Sequence, residues 1–191
     1  MTHSSLPDDR VKGLRALRGV IGSHIVGVRY LVPAGARWPG GREDGLVHEV
    51  DHGVELVMAD GSSLSVQWEM RGEEEFLSIA PTPISGVRAV GLIDALNVSE
   101  APEWTRILGR TVNGVGVAWH VPNDGSPRSI WAIRIDLDGG SAFVIALGEV
   151  RAGMPAYLPD SIVVLFDRED AEAYRITGSV TSAWGETVPT S

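Results

Sequence analysis

The chain has 191 residues and a mass of 20.4 kDa, the size of one ordinary domain or two small ones. It has no cysteine, which excludes disulfides, thiolate metal sites and thiol nucleophiles and leaves five histidines as nitrogen ligands or bases. Sixteen basic against twenty-five acidic residues give a net charge of −9, which disfavours nucleic acid and anionic membranes as partners.

The chain begins with a polar segment that carries a helical pattern. Val11, Leu14 and Leu17 recur at a spacing of three, with basic residues between them, so we expect a short helix there. No apolar stretch follows a basic start, and no apolar run approaches the length of a membrane helix. We therefore expect a cytoplasmic protein. One lysine against fifteen arginines is a usage that we associate with bacterial genomes of high GC content.

The most informative feature is an internal repeat. Residues 20–22 match residues 107–109 at a difference of 87, and residues 52–66 match residues 131–145 at a difference of 79. The change of offset falls within one loop, and insertions are best tolerated in loops. A third match, of residues 76–79 with 162–165, has an offset of 86. The sequence therefore predicts a duplication.

Each copy of the repeat predicts antiparallel strands. Residues 54–58 and 133–137 alternate in polarity, and a glycine-containing turn and a second apolar segment follow each of them, as in a hairpin. Residues 21–32 and 108–121 each predict one long bent strand, and short helices are expected near residues 99–104 and 167–175. The predicted fold class is mainly β, with internally duplicated antiparallel β units that form two small barrels or one sandwich, plus short helices.

This pattern divides the chain into five parts of a single protein. They are an N-terminal segment (1–16), a first β repeat (17–80), a connector (81–103), a second β repeat (104–167) and a C-terminal helix and tail (168–191). The tail after Gly178 is rich in serine and threonine, and we expect it to be mobile unless Trp184 docks on the body.

Residues 48–52 read His-Glu-Val-Asp-His, and the chain resembles the zincin metalloproteases in these five residues only. In zincins a helix places both histidines on zinc, and the glutamate activates a bound water. His48, Glu49 and His52 are therefore an alternative metal site, and a zinc-dependent hydrolase is the alternative function. Against it, the repeat places His52 at a strand, where residues four apart lie about 13 Å from each other, too far to share an ion. We expect no metal and no cofactor.

The remaining candidates point to binding rather than catalysis, since no complete catalytic set is found. Trp38 lies with Arg37 and Arg42 on a loop that the second copy lacks, and such side chains anchor interfaces. If so, Trp38→Ala leaves stability nearly unchanged; the alternative is that the loop folds back on the body. Trp119 and His120 end the second long strand and are candidates for a pocket rim.

The predicted function is therefore a non-enzymatic module that binds a protein or a small ligand. The partner is unidentified, and a homodimer is compatible with exposed hairpin edges. The basic residues are concentrated in the first twenty positions, so a surface for an acidic partner is expected in the N-terminal segment.

Overall fold

The computed structural model describes residues 8–38, 40–83 and 92–189. The protein is mainly β with short helices, which confirms the predicted fold class. The described residues form three α-helices: α1 (Asp8–Gly19), α2 (Pro102–Thr105) and α3 (Arg168–Ala173). Each overlaps a segment where the sequence predicts a helix. Among the described residues, no helix is long and apolar enough to span a bilayer.

The strands, in chain order, are β1 (Ile25–Pro33), β2 (Val47–Val50), β3 (Gly53–Met58), β4 (Ser63–Arg71), β5 (Glu74–Ala80), β6 (Ile93–Asn97), β7 (Val112–His120), β8 (Ser129–Leu137), β9 (Ala142–Leu147), β10 (Glu149–Arg151), β11 (Met154–Ala156), β12 (Ile162–Leu165) and β13 (Glu186–Thr187). One sheet has the order β5-β4-β3-β1-β6, a second has the order β13-β7-β8-β9-β12-β2, and β10 and β11 pair with each other. Buried apolar side chains from both large sheets form one hydrophobic cluster, so the two sheets share a core.

The two sheets contain the same meander, β1-β3-β4-β5 in the first and β7-β8-β9-β12 in the second. Tyr30 of β1 pairs with Val54 of β3, and Val117 of β7 pairs with Ile133 of β8. Tyr30 and Val117 differ by 87 in residue number, and Val54 and Ile133 differ by 79. These are the offsets of the sequence match. The strand registers therefore agree with the repeat across this pair of strands.

The register departs from the sequence match at the fourth strand of each meander. Ile79 of β5 pairs with Val66, whereas Val164 of β12 pairs with Ile145, the residue equivalent to Val66. Ile79 is thus equivalent to Val164, an offset of 85 in place of the expected 86. The short apolar runs of β5 and β12 can be aligned in either register by their composition, so only the strand pairing fixes the equivalence.

The two meanders meet where β1 and β7 begin. His24 forms a β-bridge with Thr111, the residue that the offset of 87 makes equivalent to His24. The neighbouring backbone hydrogen bonds form two pairs, and the offset of 87 converts one bond of each pair into the other. In the first pair, Ile25 N donates to Arg110 O and Val112 N donates to Ser23 O. In the second pair, Gly22 N donates to Val112 O and Gly109 N donates to Ile25 O. Contacts between equivalent residues are characteristic of a two-fold axis. The backbone pairing of residues 22–25 with residues 109–112 is therefore locally two-fold symmetric at the offset of 87.

Strand β2 breaks this symmetry. It comes from the long loop between β1 and β3 of the first half, yet it pairs with β12 at the outer edge of the second sheet. The corresponding loop of the second half spans only residues 121–128 and contains no strand. As a result, β12 has a strand on each side, whereas within the described residues β5 is paired with β4 alone.

The segments predicted as connector and tail also contribute strands. β6 lies within residues 81–103 and pairs with β1, and β13 lies in the tail and pairs with β7. The guanidinium groups of Arg134 and Arg168 each lie over the Trp184 ring, at 4.7 and 4.8 Å from its centroid. Trp184 therefore docks the tail on the body, the exception that the sequence interpretation allows.

Candidate functional site

The His-Glu-Val-Asp-His string does not form the helix that a zincin site requires. Residues 47–50 form strand β2, and a bend follows before β3 begins. The Glu49 carboxylate accepts a hydrogen bond from Val150 N at 2.7 Å, while the His52 ring lies 6.2 Å from the Trp68 ring. Among the described residues, no three histidine or acidic side chains come together as a metal site. The helical interpretation of this string is wrong.

His48 instead belongs to a buried polar network with three residues from other parts of the chain. Trp104 Nε1 donates to the Tyr30 hydroxyl at 2.8 Å, and that hydroxyl lies 2.7 Å from His48 Nδ1. His48 Nε2 lies 3.3 Å from the Glu103 carboxylate. Because the Glu103 carboxylate can only accept, Nε2 of the neutral imidazole carries the proton, and Nδ1 therefore accepts from the Tyr30 hydroxyl. The hydrogen bonds of the network therefore run in one direction, from Trp104 to Glu103.

The position of the buried polar network explains why it forms. Tyr30 lies on β1 of the first sheet, His48 on β2 of the second, and Glu103 and Trp104 on α2. The network therefore joins the two sheets and α2 through side chains that are almost completely buried. Buried polar groups are costly unless they are hydrogen-bonded, and here each one has a partner.

The network has a hydroxyl, an imidazole and a carboxylate in the order of a catalytic triad, but its hydroxyl is closed to solvent. Tyr30 has 0% relative exposure, and burial raises the pKa of its phenol well above the usual value. Burial also lowers the pKa of His48, while the Glu103 carboxylate opposes that shift. A nucleophile must reach its substrate, so this arrangement favours packing and orientation over catalysis.

The loop with the predicted interface anchors folds back on the body. The Trp38 indole donates to Glu49 O at 2.8 Å, and its ring centroid lies 4.6 Å from that of His48. Arg42 forms an ion pair with Asp170 at 2.6 Å, which joins the loop to α3. Arg37 is exposed. Trp38 and Arg42 thus occupy the positions expected for the alternative in which the loop folds back; their role in binding stays a prediction.

The other two candidates lie at the end of β7. His120 is buried, and its Nε2 donates to Glu75 O of β5 at 3.0 Å, which links the two sheets. Burial lowers the pKa of His120. Trp119 is half-buried and packs against the core. The structure does not bring these two residues together with Trp38, Arg37 and Arg42.

A groove of about 340 Å³ lies between α1 and the hairpin formed by β4 and β5. Its lining includes every residue from 76 to 80, together with Arg10, Lys12, Gly13, Glu69, Arg71, Pro81 and Ile130. Arg10 is buried at 8% exposure, and its guanidinium donates to Ser129 Oγ at 3.0 Å and to Pro127 O at 3.3 Å. The Arg71 guanidinium lies over the Phe76 ring at 5.1 Å. The groove therefore combines positive charge with an apolar wall.

Comparison with protein-family models, curated proteins and solved structures found no match to this chain.

Sequence reasoning missed both the buried polar network and the residues of the groove. Tyr30 is separated from Trp104 by 74 residues and from His48 by 18, and no local pattern connects them. The basic N-terminal segment was a partial signal for the groove, since it predicted a surface for an acidic partner. Arg71 and Phe76 gave no such signal, because they join Arg10 only when β5 packs against α1.

Proposed function

We propose that the protein is a non-enzymatic binding module that holds an anionic ligand or an acidic protein segment in the groove between α1 and β5. The observation that carries this proposal is the groove itself, whose volume of about 340 Å³ falls in the range of ligand pockets. Helix α1 borders the groove where Gly13 lies against Ile79 of β5, and the lining continues to Glu69 and Arg71 of β4.

The charge of the groove supports an anionic ligand. Three basic side chains, those of Arg10, Lys12 and Arg71, line it together with one acidic side chain, that of Glu69. The chain as a whole carries a net charge of −9, so a groove with a local excess of positive charge differs from the rest of the protein. Such a local field selects and steers anions. The Phe76 ring and the neighbouring aliphatic residues provide apolar contact for the remainder of the ligand.

The composition of the groove favours binding over catalysis. Ser78 is the one hydroxyl residue among the described lining residues, and no histidine lines the groove with it. An activated serine needs a base within hydrogen-bond reach. His48 and His120 are buried elsewhere, and each is hydrogen-bonded to groups of the protein. These positions support a role in which the groove holds its ligand unchanged.

The proposal is tested by titrating 15N-labelled protein with 3-phenylpropionate, a carboxylate attached to a flat apolar group. We expect saturable shifts of the amide signals of residues 76–80 and of Lys12. Lys12→Glu should weaken binding by about fivefold or more, a loss of roughly 1 kcal/mol. Arg175→Glu is the matched control, since Arg175 is exposed and lies outside the groove lining. The proposal is wrong if neither this probe nor an acidic peptide shifts these amides at about 10 mM.

We further propose that the two halves are copies of one ancestral unit. The shared meander, the matched registers of β1/β3 and β7/β8, and the two-fold contact between His24 and Thr111 support this origin. The cytoplasmic location and bacterial source stay predictions from the sequence.

A further inference from the structure

We propose that protonation of the buried His48 side chain releases the loop that covers it, so that this part of the surface opens in acid while the two sheets stay folded. The covering loop is defined as residues 34–38 and 40–46, between β1 and β2. The inference concerns the buried polar network and does not rest on the proposed binding function of the groove.

The covering loop rests directly on the network through Trp38. The centroid of the Trp38 ring lies 4.6 Å from that of His48 and 5.2 Å from that of Tyr30. The Trp38 indole also donates to Glu49 O at 2.8 Å. Trp38 is half-buried, whereas Tyr30 and His48 are buried beneath it. Movement of Trp38 with its loop therefore exposes the imidazole to water.

Few backbone hydrogen bonds hold the covering loop in place. Arg42 N donates to Val47 O at 2.8 Å, and Glu49 N donates to Gly40 O at 3.0 Å. The described residues of the loop contribute no helix or strand. Segments with few such bonds open locally at a lower free energy than global unfolding. Exchange of the Arg42 and Glu49 amides therefore reports whether the loop is closed.

The hydrogen bonds of the network are consistent only with a neutral imidazole. Trp104 Nε1 donates to the Tyr30 hydroxyl, which donates to His48 Nδ1, while His48 Nε2 donates to Glu103. Protonation adds an N–H at Nδ1, which then faces the hydroxyl as a second donor. Among the described residues, the hydroxyl proton has no other acceptor, and Tyr30 has 0% exposure. The closed network therefore disfavours the imidazolium, because it leaves a buried donor unpaired.

The groups packed around His48 place one carboxylate against it. Among the described residues, Glu103 of α2 is the charged side chain that faces the ring, and Tyr30 of β1 is the other titratable group. The partner on β12 is Val164, and Phe166 lies 4.8 Å away, centroid to centroid. The two charged groups of the neighbouring elements have partners elsewhere: the Glu49 carboxylate accepts from Val150 N, and Arg42 of the covering loop pairs with Asp44 and Asp170.

The balance of these effects gives the direction of the pH dependence. Burial lowers the pKa of His48 more than the Glu103 carboxylate raises it, so the closed form holds the imidazole neutral. In the open form the ring is in water, and its pKa returns toward the ordinary value of about 6.5. Protons therefore bind the open form more tightly. The open fraction rises as the pH falls below about 6.5, by at most tenfold per pH unit.

The test measures hydrogen exchange by NMR on the 15N-labelled full chain at pH 7.5 and pH 5.0, expressed as protection factors that correct for the intrinsic effect of pH. We expect protection at the Arg42 and Glu49 amides to fall by about tenfold at pH 5.0. The amide of Ile133 provides the internal control, because β8 is paired on both sides and reports opening of the sheet. Its protection should change by less than about twofold.

His48→Gln separates protonation from other effects of acid. Glutamine can offer an acceptor to Tyr30 and a donor to Glu103, as the neutral imidazole does, but it does not titrate. We expect its protection at Arg42 and Glu49 to be the same at both pH values. His52→Gln is the matched control, since His52 lies outside the network against Trp68, and it should keep the wild-type fall.

Glu103→Gln provides a second test that does not depend on the folding of His48→Gln. It keeps an acceptor for Nε2 but removes the charge that raises the pKa of His48. The fall in protection between pH 7.5 and pH 5.0 should therefore become larger than in the wild type, by about twofold or more.

Three results would overturn the inference. The first is equal protection of the wild-type loop at both pH values. The second is a parallel loss of protection at Ile133, which would mean that the whole protein opens. The third is a fall in His48→Gln as large as in the wild type or, if that variant does not fold, a fall in Glu103→Gln that is no larger than in the wild type.

Discussion

The buried polar network makes a sharp prediction for Tyr30→Phe. Phenylalanine fills nearly the same space as tyrosine but has no hydroxyl, so the substitution removes the group that joins Trp104 Nε1 to His48 Nδ1. Both nitrogens belong to buried side chains, at 0% exposure for Trp104 and 2% for His48. The variant therefore leaves one buried donor and one buried acceptor without this partner.

The magnitude follows from the cost of those two groups. Each unsatisfied buried group costs about 1–3 kcal/mol, so we expect a loss of roughly 3 kcal/mol in the free energy of unfolding. For a domain of this size, that corresponds to a decrease of about 6–12 °C in Tm. Tyr174→Phe is the matched control. Its buried hydroxyl donates one hydrogen bond, to Leu147 O at 2.6 Å, so we expect a loss of about 1 kcal/mol.

The assay is urea denaturation of the wild type and the two variants, followed by circular dichroism. A lower midpoint with an unchanged slope assigns the effect to stability rather than to a change in the unfolded state. If Tyr30→Phe costs no more than Tyr174→Phe, the hydroxyl does not join two buried groups, and the directional network described above is refuted.

Three further predictions follow from the burial of individual groups. Trp38→Ala should cost about 3 kcal/mol in urea denaturation because its ring packs on the network, and a neutral result would restore the interface role expected from the sequence. Burial lowers the pKa of His120. The contribution of this residue to the free energy of unfolding is therefore complete above the ordinary histidine pKa of about 6.5, and it is lost as the pH falls below that value. In urea denaturation at a series of pH values, His120→Gln should therefore flatten the stability–pH profile below about pH 6.5 by at most about 1.4 kcal/mol per pH unit. Gly45→Ala should lower the free energy of unfolding by about 1 kcal/mol more than Gly61→Ala. Both glycines have a positive φ, but only a Cβ at position 45 would overlap the Glu103 carboxylate. Equal losses of stability in calorimetry would contradict this prediction.

The hairpins of the two halves are the part of the fold that could be predicted best. Alternating polarity in residues 54–58 and 133–137 reports which side chains face the core, and this pattern is local in sequence. The offsets of 87 and 79 then agree with the registers of the paired strands. The offset at β5 and β12 could not be fixed in the same way. A short apolar run fits two neighbouring registers, and its hydrogen bonds to the adjacent strand decide between them.

The candidate sites could be predicted only in part, since their residues meet through long-range contacts. The objection to a shared metal at His48 and His52 needed only the length of a strand, and the structure does place residues 47–50 in β2. The partners of His48 could not be predicted, because β2 leaves the first half and pairs with β12. No local pattern in the loop of residues 34–52 reports that crossing.

Length, charge and the absence of cysteine set firm limits from the sequence alone: one ordinary domain or two small ones, no thiol chemistry, and a net charge of −9 that disfavours polyanions. The tertiary structure decides where the individual charges lie. It brings Arg10, Lys12 and Arg71, from a helix and a strand, to the lining of one groove together with Glu69. Composition sums charges over the whole chain, whereas a ligand responds to those within about 10 Å, and only folding decides which they are.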